Sequence, residues 1–499
     1  MPNRILVVLT LAVSLVCWGT VVLAQDDAGD PLYDVQPPEI VEDQPVFDVR
    51  PPEILEEEAT PEELPKPSAE LESFQLKSSA SEHEQSDCLD LLSPSGASQY
   101  QYDEYDGCDE EVCCDCTQSC FAQTGEFWIR ADYVMWWTRG MRLPPLLTSS
   151  PVGYPPGVWG ETNTETLFGN SPVHQGGRSS ARLSMGYWLD ACNICALEGD
   201  YFDLGQNTSG FSGFSLGDPV FARPYYDVTT LRESSRVVAY PDQAVGQIQA
   251  GTSDYFESAG IRIRRYLWSH EPFSCADDCM SCTTGCYGGP CSLDDGLRFR
   301  LDLISGYRYY RLADRLTLRE IRTLTTSALG TTGTTSVVDD TFRATNEFSG
   351  GEFGLIAQFQ RGRWTMNLQG KMGLGSNRRV VRIGGSSTIT TPGAATAGYS
   401  GGLMAQPTNM DTFVQSEFVV IPQFGLEIGY ELNSHLRAYL GYDFLYWADV
   451  ARAGDQMDRG INPTQIPPGQ LVGASRPSFD FQYADFWAQG INAGLELRF

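Results

Sequence analysis

The chain has 499 residues, with 34 Lys and Arg against 64 Asp and Glu, and its formal net charge is −30. The lack of a basic excess argues against a nucleic-acid partner, and a hydrophobic fraction of 41% excludes a chain that is disordered throughout. Only four histidines occur and no Rossmann, P-loop or HExxH fingerprint is present, so we expect neither an enzyme nor a cofactor or metal site.

The N-terminus has the order of a secretory signal peptide. Arg4 precedes an apolar run from Ile5 to Leu23, and the small residue Ala24 comes before Gln25. A charge, an apolar core and a small-residue cleavage site in this order predict a signal peptide over residues 1–24. An uncleaved membrane anchor is the alternative. Beyond residue 24, no apolar run approaches the ~20 residues that a membrane-spanning helix needs.

Residues 25–87 have the composition of an acidic spacer. The segment 25–120 holds 27 Asp and Glu against three basic residues, and the stretch that begins at Tyr33 recurs in similar form 14 residues later, from Phe47. Both copies contain Pro-Pro-Glu-Ile. Proline pairs favour extended polyproline geometry, and clustered like charges swell a chain. We therefore predict a disordered acidic leader. Docking of the two repeats to an envelope protein is the alternative.

Cysteines form two clusters and one Cys-x-x-Cys pair. Because an exported chain meets an oxidising compartment, we predict disulfides. Zinc binding by the first cluster and a redox dithiol at the Cys-x-x-Cys pair are the alternatives. The candidate disulfide cysteines are Cys88, Cys108, Cys113, Cys114, Cys116 and Cys120 in the Cys-rich segment 88–120, Cys192 and Cys195 in the pair, and Cys275, Cys279, Cys282, Cys286 and Cys291 in the second cluster.

Apolar and polar residues alternate from residue 126 onward, as in strands that have one apolar and one polar face. A soluble sandwich buries the apolar face, whereas a membrane barrel turns it to lipid. The barrel is favoured because many alternating segments run for 12–18 residues, longer than the ~5–6 usual in sandwiches, and because the chain ends on such a segment with Phe499 as a C-terminal barrel signal. Aromatic residues at segment ends predict interface belts: Trp136, Trp137, Tyr309, Tyr310, Tyr446, Trp447, Phe486 and Trp487.

The body, residues 121–499, is thus predicted to be an all-β, transmembrane antiparallel up-and-down β-barrel of about twelve strands. Short turns belong to the periplasm and long loops to the exterior, so both chain ends and the leader are expected in the periplasm of an outer-membrane protein. The second cysteine cluster then falls in an external loop. The predicted strands are 126–138, 180–191, 195–206, 224–240, 253–268, 296–311, 315–326, 341–360, 363–383, 412–432, 435–450 and 481–499.

Ordered motifs along the body resemble one known family, the putative beta-barrel porin-7 family of outer-membrane proteins. The resemblance implies a porin-type barrel whose partners are outer-membrane lipid and, during insertion, the barrel-assembly machinery. It implies no catalytic residues and no settled substrate. The motifs are Gly125–Trp137 (GEFWIRADYVMWW), Met141–Thr148 (MRLPPLLT), Met185–Asp190 (MGYWLD), Ala222–Tyr225 (ARPY), Leu303–Tyr310 (LISGYRYY), Arg361–Gly375 (RGRWTMNLQGKMGLG), Gly402–Asn409 (GLMAQPTN), Leu436–Trp447 (LRAYLGYDFLYW), Gly454–Arg459 (GDQMDR) and Asp485–Phe499 (DFWAQGINAGLELRF).

Charged residues on the polar parity are candidates to line the lumen. Both signs occur, which predicts a passive channel for small polar solutes; the alternative is that arginines and carboxylates satisfy one another in a closed interior. That alternative corresponds to a non-conducting structural or surface-display barrel, cross-linked through its Cys-rich segments. The candidate lumen residues are Arg262, Arg264, Arg298, Arg300, Arg308, Arg437, Asp302, Glu427, Glu431, Asp443 and Glu496.

Overall fold

Ten long antiparallel strands close into one barrel. The computed structural model describes residues 127–190, 193–270 and 296–499, and within them the prediction of an all-β barrel is confirmed. Each strand pairs with its neighbours in sequence, and β1 also pairs with β10, which closes the barrel. The strands are β1 (Phe127–Thr138), β2 (Gly177–Trp188), β3 (Cys195–Ser215), β4 (Ala244–His270), β5 (Arg298–Leu324), β6 (Thr335–Arg361), β7 (Trp364–Thr390), β8 (Asp411–Asn433), β9 (Leu436–Val450) and β10 (Ala484–Arg498).

Shorter elements lie in the connections. Ala397–Ser400 extends the barrel sheet beside β7, and Met141–Arg142 pairs with Pro172–Val173. We call the remaining short strands the loop sheet: Leu147–Ser150, Glu165–Phe168, Val220–Asp227, Arg232–Ala239 and Gly460–Ile461. Two single-turn 3₁₀ helices cover Ser327–Leu329 and Pro463–Gln465. Among the described residues, no helix is both long and apolar enough to cross a membrane.

The predicted count of twelve strands is wrong, and two segments account for the difference. Residues 315–326 do not form a separate strand after a turn, because β5 runs without interruption from Arg298 to Leu324. Residues 224–240 are not a wall strand either. They belong to a hairpin of the loop sheet, between β3 and β4.

An exchange of faces along β5 explains the error. In the first half of β5, Leu303 and Tyr307 are exposed on the outer face, whereas Arg300 and Arg308 are buried inside. Beyond Tyr310 the pattern reverses at constant register with β6. The inner face then carries Leu312, Leu316 and Leu318, and the outer face carries Arg311, Arg315 and Arg319. The sequence shows this exchange as a change of parity, which resembles a turn.

The exchange marks the boundary between lipid and water outside the barrel. On β7 the outward apolar residues extend from Trp364 to Leu374, a stretch of 11 residues that matches the ~9–11 a tilted strand needs to cross a bilayer. Farther along the outer face come Arg378 and Arg382, both exposed. We call the apolar outer surface the lipid belt, and the part of the strands beyond it the projecting wall.

The projecting wall is one-sided because the strands differ in length. Strands β3 to β8 have 21 to 27 residues, whereas β1, β2, β9 and β10 have 12 to 15. All strands start or end at one common rim, the turn rim, which carries Phe127, Phe499 and the tight turns at 362–363 and 434–435. The opposite end is the loop rim. From it leave the connections 139–176, 216–243, 325–334, 391–410 and 451–483.

The placement of the second cysteine cluster is a further correction. Strand β4 ends at His270 and β5 begins at Arg298, both at the turn rim where β1 begins. The prediction that β4 ends at the rim opposite the start of β1 is therefore wrong. The error arose because counting 224–240 as a wall strand reversed the direction assigned to β4. The cysteines of both clusters, the acidic leader and the signal peptide lie outside the described residues.

A charge placed on the lipid belt should destabilise the barrel, whereas the same charge on the projecting wall should not. We expect Leu303→Arg, in the middle of the belt, to lower the unfolding free energy by about 2–4 kcal/mol. Ser212→Arg, on the exposed outer face of the projecting wall and opposite the uncharged Gln249, should change it by less than about 0.5 kcal/mol. Urea unfolding in lipid vesicles measures both. Equal losses would contradict the position of the boundary.

Candidate functional site: the barrel interior

The predicted lumen residues lie inside the half of the barrel nearer the turn rim, which the lipid belt surrounds. Arg298 is half-buried at the turn rim, where β5 begins. The other ten candidates take part in ion pairs with interior side chains. They are Arg262, Arg264, Arg300, Arg308, Arg437, Asp302, Glu427, Glu431, Asp443 and Glu496.

Two arginines on neighbouring strands share three carboxylates. Arg308 Nε donates to Glu352 Oε2 at 2.7 Å, and its Nη1 donates to Asp200 Oδ2 at 2.6 Å. Arg262 donates to Glu198 at 2.8 Å and to the same Asp200 at 2.5 Å. Because each carboxylate accepts from a positioned guanidinium, the arrangement offsets part of the desolvation cost that buried ions carry.

A second group spans the strands where the barrel closes. Glu427 accepts hydrogen bonds from Arg130 and, at 2.7 Å, from Arg437. Glu496 lies 3.3 Å from Arg437 and 3.7 Å from Arg130. Arg437, Glu496 and Arg130 are direct cross-strand neighbours on β9, β10 and β1, so the register itself brings the opposite charges together.

Further ion pairs complete this set of interior charges, which we call the charged layer. Arg182 bridges Asp132 at 2.6 Å and Asp443 at 2.7 Å. Asp302 accepts from Arg264 and Arg300 at 2.7 and 2.8 Å. Over the whole layer, cations and carboxylates are equal in number. The cations are Arg130, Arg182, Arg262, Arg264, Arg300, Arg308, Lys371, Arg437 and Arg498, and the carboxylates are Asp132, Glu198, Asp200, Asp302, Glu352, Glu427, Glu431, Asp443 and Glu496.

Little space remains between these side chains. The cavity in the charged layer has a volume of about 120 Å³. Pockets for organic ligands commonly have ~300–1,000 Å³, so this one has room for water and small ions only. A ten-stranded barrel lies between the eight-stranded barrels that side chains fill and the sixteen-stranded barrels that hold a channel. Here side chains fill it.

An aromatic layer lies next to the charged layer, on the side of the loop rim. Phe256 contacts Tyr310 with ring centroids 6.0 Å apart and Phe486 with centroids 5.1 Å apart. Trp447 contacts Tyr310 at 6.1 Å and Phe348 at 6.4 Å. All five side chains are fully buried, and they come from strands on both sides of the lumen. Apolar rings therefore occupy this level of the lumen.

Half of the expected interface aromatics belong to this inner surface instead. The sequence predicted that both members of each adjacent aromatic pair face the membrane. Successive residues of a strand must face opposite sides, so only one of each pair can do so. The inward members, all buried, are Trp136, Tyr310, Trp447 and Phe486; the outward members are Trp137, Tyr309, Tyr446 and Trp487. Parity around each pair was the signal that could have separated them.

Inward-folded loops fill the projecting wall above the aromatic layer. Arg452, from the connection 451–483, donates to Asp314 on β5 at 2.5 Å. Asn346 on β6 exchanges two hydrogen bonds, at 2.7 and 2.8 Å, with the backbone of Ala451. His174, from the connection 139–176, is buried nearby. Burial lowers the pKa of His174 to about 4, so its ring is neutral at pH 7.

The loop sheet is held to the wall by a buried arginine. Arg223 reaches Glu320 at 3.3 Å and also contacts Asp340. Burial alone would lower the pKa of Arg223, but the two carboxylates outweigh burial and raise it. Asp340 further accepts backbone N–H groups of Leu403, Met404 and Ala405 at 2.8–3.0 Å. An apolar cluster formed by loop and wall residues surrounds these contacts.

Two other predicted features have limited structural counterparts. Of the candidate disulfide cysteines, only Cys195 is described; it begins β3 at the turn rim, and its predicted bond to Cys192 stays a prediction. Phe499 packs against Phe127, with ring centroids 6.0 Å apart, and its N–H donates to the Phe127 carbonyl at 2.9 Å. In the described ranges, no three His, Cys, Asp or Glu side chains are arranged to hold a metal ion.

A family comparison identifies the barrel. The family model described as "Putative beta barrel porin-7 (BBP7)" matches residues 128–499, which is almost the whole described barrel. The chain belongs to this family. The resemblance inferred from the motifs is thereby confirmed, and the porin-7 barrel is an outer-membrane β-barrel.

Comparisons with individual proteins add little to the porin-7 assignment. No curated protein matches the chain. Among solved structures, the outer membrane protease OmpT from Escherichia coli is similar over 74% of this chain and 97% of its own, with 9% identity and a TM-score of 0.33. The P. putida toluene transporter TodX covers 76% of this chain and 91% of its own, with 10% identity and a TM-score of 0.20.

Removal of one interior arginine should destabilise the porin-7 barrel strongly. Arg308→Ala leaves Asp200 and Glu352 buried without their main partner, so we expect a loss of about 3–5 kcal/mol in unfolding free energy. Arg319→Ala is the control, because its exposed pair with Asp339 at 3.7 Å should contribute at most about 1 kcal/mol. Denaturant unfolding in detergent micelles measures both, and similar losses would count against the charged layer as a stabilising unit.

Asp340 anchors the inward-folded loops to the wall, so its removal should loosen these loops without unfolding the wall. Asp340→Ala deprives Arg223 and three backbone N–H groups of their acceptor. We expect thermolysin to cleave the 402–409 segment at least about tenfold faster, since loss of a single charged hydrogen bond, roughly 1.5 kcal/mol, already gives that factor. Asp339→Ala, the adjacent residue on the outer face, should leave the cleavage rate unchanged. Equal rates for the two variants would show that Asp340 is not the anchor.

Proposed function

We propose that this protein is a closed outer-membrane barrel with a structural role in the cell envelope. The aromatic layer carries the proposal, because the buried rings of Phe256, Tyr310, Phe348, Trp447 and Phe486 contact one another across the lumen. A hydrated ion or polar solute would have to lose its water there without any compensating ligand, which is strongly unfavourable. No catalytic step is part of this proposal.

The charged layer supports the same function. A selectivity zone needs charges that can meet the permeating solute, such as a ring of one sign. Here each of the ten interior candidates already has an oppositely charged partner, and the layer is balanced in charge. The layer therefore has the properties of a packed polar core. It gives no preference for anions or cations.

The topology gives the proposed structural role a direction. Short turns of outer-membrane barrels face the periplasm, so we assign the turn rim to that side. The N-terminal segment and the connection between β4 and β5 both leave from this rim. Their cysteine clusters would then share one compartment, in which they could form disulfides with each other or with envelope neighbours.

Passive diffusion of small polar solutes is the competing function, drawn from the sequence. It requires the aromatic layer and the inward-folded loops to move aside together. We expect purified protein to give no stepwise conductance in planar bilayers, even at high protein load, while flotation with vesicles shows that it has inserted. Stepwise openings by the inserted, folded protein would overturn the closed barrel and establish the channel.

A further inference from the structure

Three arginines form a row across the outer face of the projecting wall. Arg315 on β5 lies directly opposite Arg343 on β6, and Arg343 lies directly opposite Arg382 on β7. All three side chains are exposed on the outer face. Neighbouring strands are ~4.8 Å apart, so three like charges lie within roughly 10 Å.

The row has no acidic partner in the described part of the chain, although its surroundings do. Four residues nearer the lipid belt on each strand, Arg311 lies 3.3 Å from Glu257 and Arg378 lies 3.0 Å from Glu347. Four residues farther away, Arg319 pairs with Asp339. Like charges directly opposite on adjacent strands are unfavourable without a counterion. The row of Arg315, Arg343 and Arg382 therefore lacks the carboxylate partners that the nearest charged rows on either side have.

The row lies beside a groove in the projecting wall, beyond the edge of the lipid belt. The groove has a volume of about 470 Å³, and five arginines line it: Arg311, Arg315, Arg343, Arg378 and Arg382. Its lining also includes Tyr255, Glu347, which pairs with Arg378, and the buried residues Asp254 and Asp314. Tyr309, at the edge of the lipid belt, precedes Arg315 by six residues on the same strand. At ~3.3 Å per residue and a tilt of ~40°, the row lies roughly 15 Å beyond the belt edge. Arginine side chains are long enough to reach back from there toward the membrane surface.

We propose that this groove binds the phosphate groups of a phosphorylated glycolipid in the adjacent leaflet. Guanidinium groups bind phosphate in bidentate fashion and stay charged at any physiological pH. A simple phospholipid carries its phosphate within about 7 Å of the hydrocarbon. A lipid built on a saccharide extends farther, so it would reach Arg311 and Arg378 near the belt as well as the row beyond them. Its acyl chains would lie against the lipid belt directly below. The inference rests on the lipid belt and not on whether the barrel conducts.

Binding of a defined lipid to the full-length protein tests this site. Native mass spectrometry from detergent micelles would measure the apparent affinity for diphosphorylated lipid A, for the same lipid without phosphates, and for soluble glucose-1-phosphate. The test variant is Arg315→Gln/Arg343→Gln/Arg382→Gln. The matched control, Arg232→Gln/Arg265→Gln/Arg363→Gln, removes the same charge from exposed arginines outside the row.

Each arginine near a charged membrane surface contributes about fivefold to binding, so we expect the test variant to bind diphosphorylated lipid A about a hundredfold more weakly than wild type. Arg343→Gln alone, in the middle of the row, should weaken binding about fivefold and serves if the triple variant fails to fold. The control should bind like wild type, and the phosphate-free lipid should bind weakly to all variants.

Three results would overturn the proposal. Unchanged affinity of the folded triple variant, or of Arg343→Gln when the triple variant does not fold, would exclude the row as the site. Equal binding of the phosphate-free lipid would exclude phosphate as the recognised group. Binding of glucose-1-phosphate as tight as that of the lipid would make the groove a site for a free phosphate ester. None of these results depends on conductance, so the proposed closed barrel would stand or fall separately.

Discussion

The hydrocarbon that surrounds the lipid belt, in the half of the barrel nearer the turn rim, is the constraint on which the rest of the structure depends. Outward side chains there must be apolar, because the bilayer core solvates no charge. Most charges on these strands then point inward, where other charges and a little water are the available partners; Arg265, opposite Leu303, is an exposed exception. The Arg308, Asp200 and Glu352 group and the Arg130, Glu427 and Arg437 group are consequences of this requirement.

Water replaces lipid farther along the same strands, and the two faces exchange their chemistry. Leu316 and Leu318 are buried inside the projecting wall, whereas Arg315 and Arg319 face solvent. This upper half behaves like a soluble protein whose core must be filled. Because the wall is tall only along β3 to β8, loops from the short strands can fold across it and supply that core.

The loops are held by few but deeply buried polar contacts. Arg223 and Asp340 join the loop sheet and the 402–409 segment to β5 and β6, and Arg452 joins the 451–483 connection to Asp314. A buried ion pair has to recover a large desolvation cost, so it is favourable only with good geometry and further hydrogen bonds. Asp340 meets that condition through three backbone donors. The interior consequently consists of a charged layer, an aromatic layer and a loop-filled core.

The sequence by itself determined the fold class, the family and which face of most belt strands carries charge, because a period of two is imposed by the backbone of every strand. Ten of the eleven residues singled out from that parity, including Arg262 and Glu496, lie in interior ion pairs. The sequence could not distinguish a turn between two strands from a continuous strand that passes from lipid into water. In both cases the apolar residues move from odd to even positions or the reverse, as they do at residues 312–315 in β5. Only the tertiary structure decided the strand count, the rim from which the β4–β5 connection leaves and the aromatic contacts across the lumen. These depend on contacts between residues far apart in the chain, such as Phe256 with Phe486, which no local pattern contains.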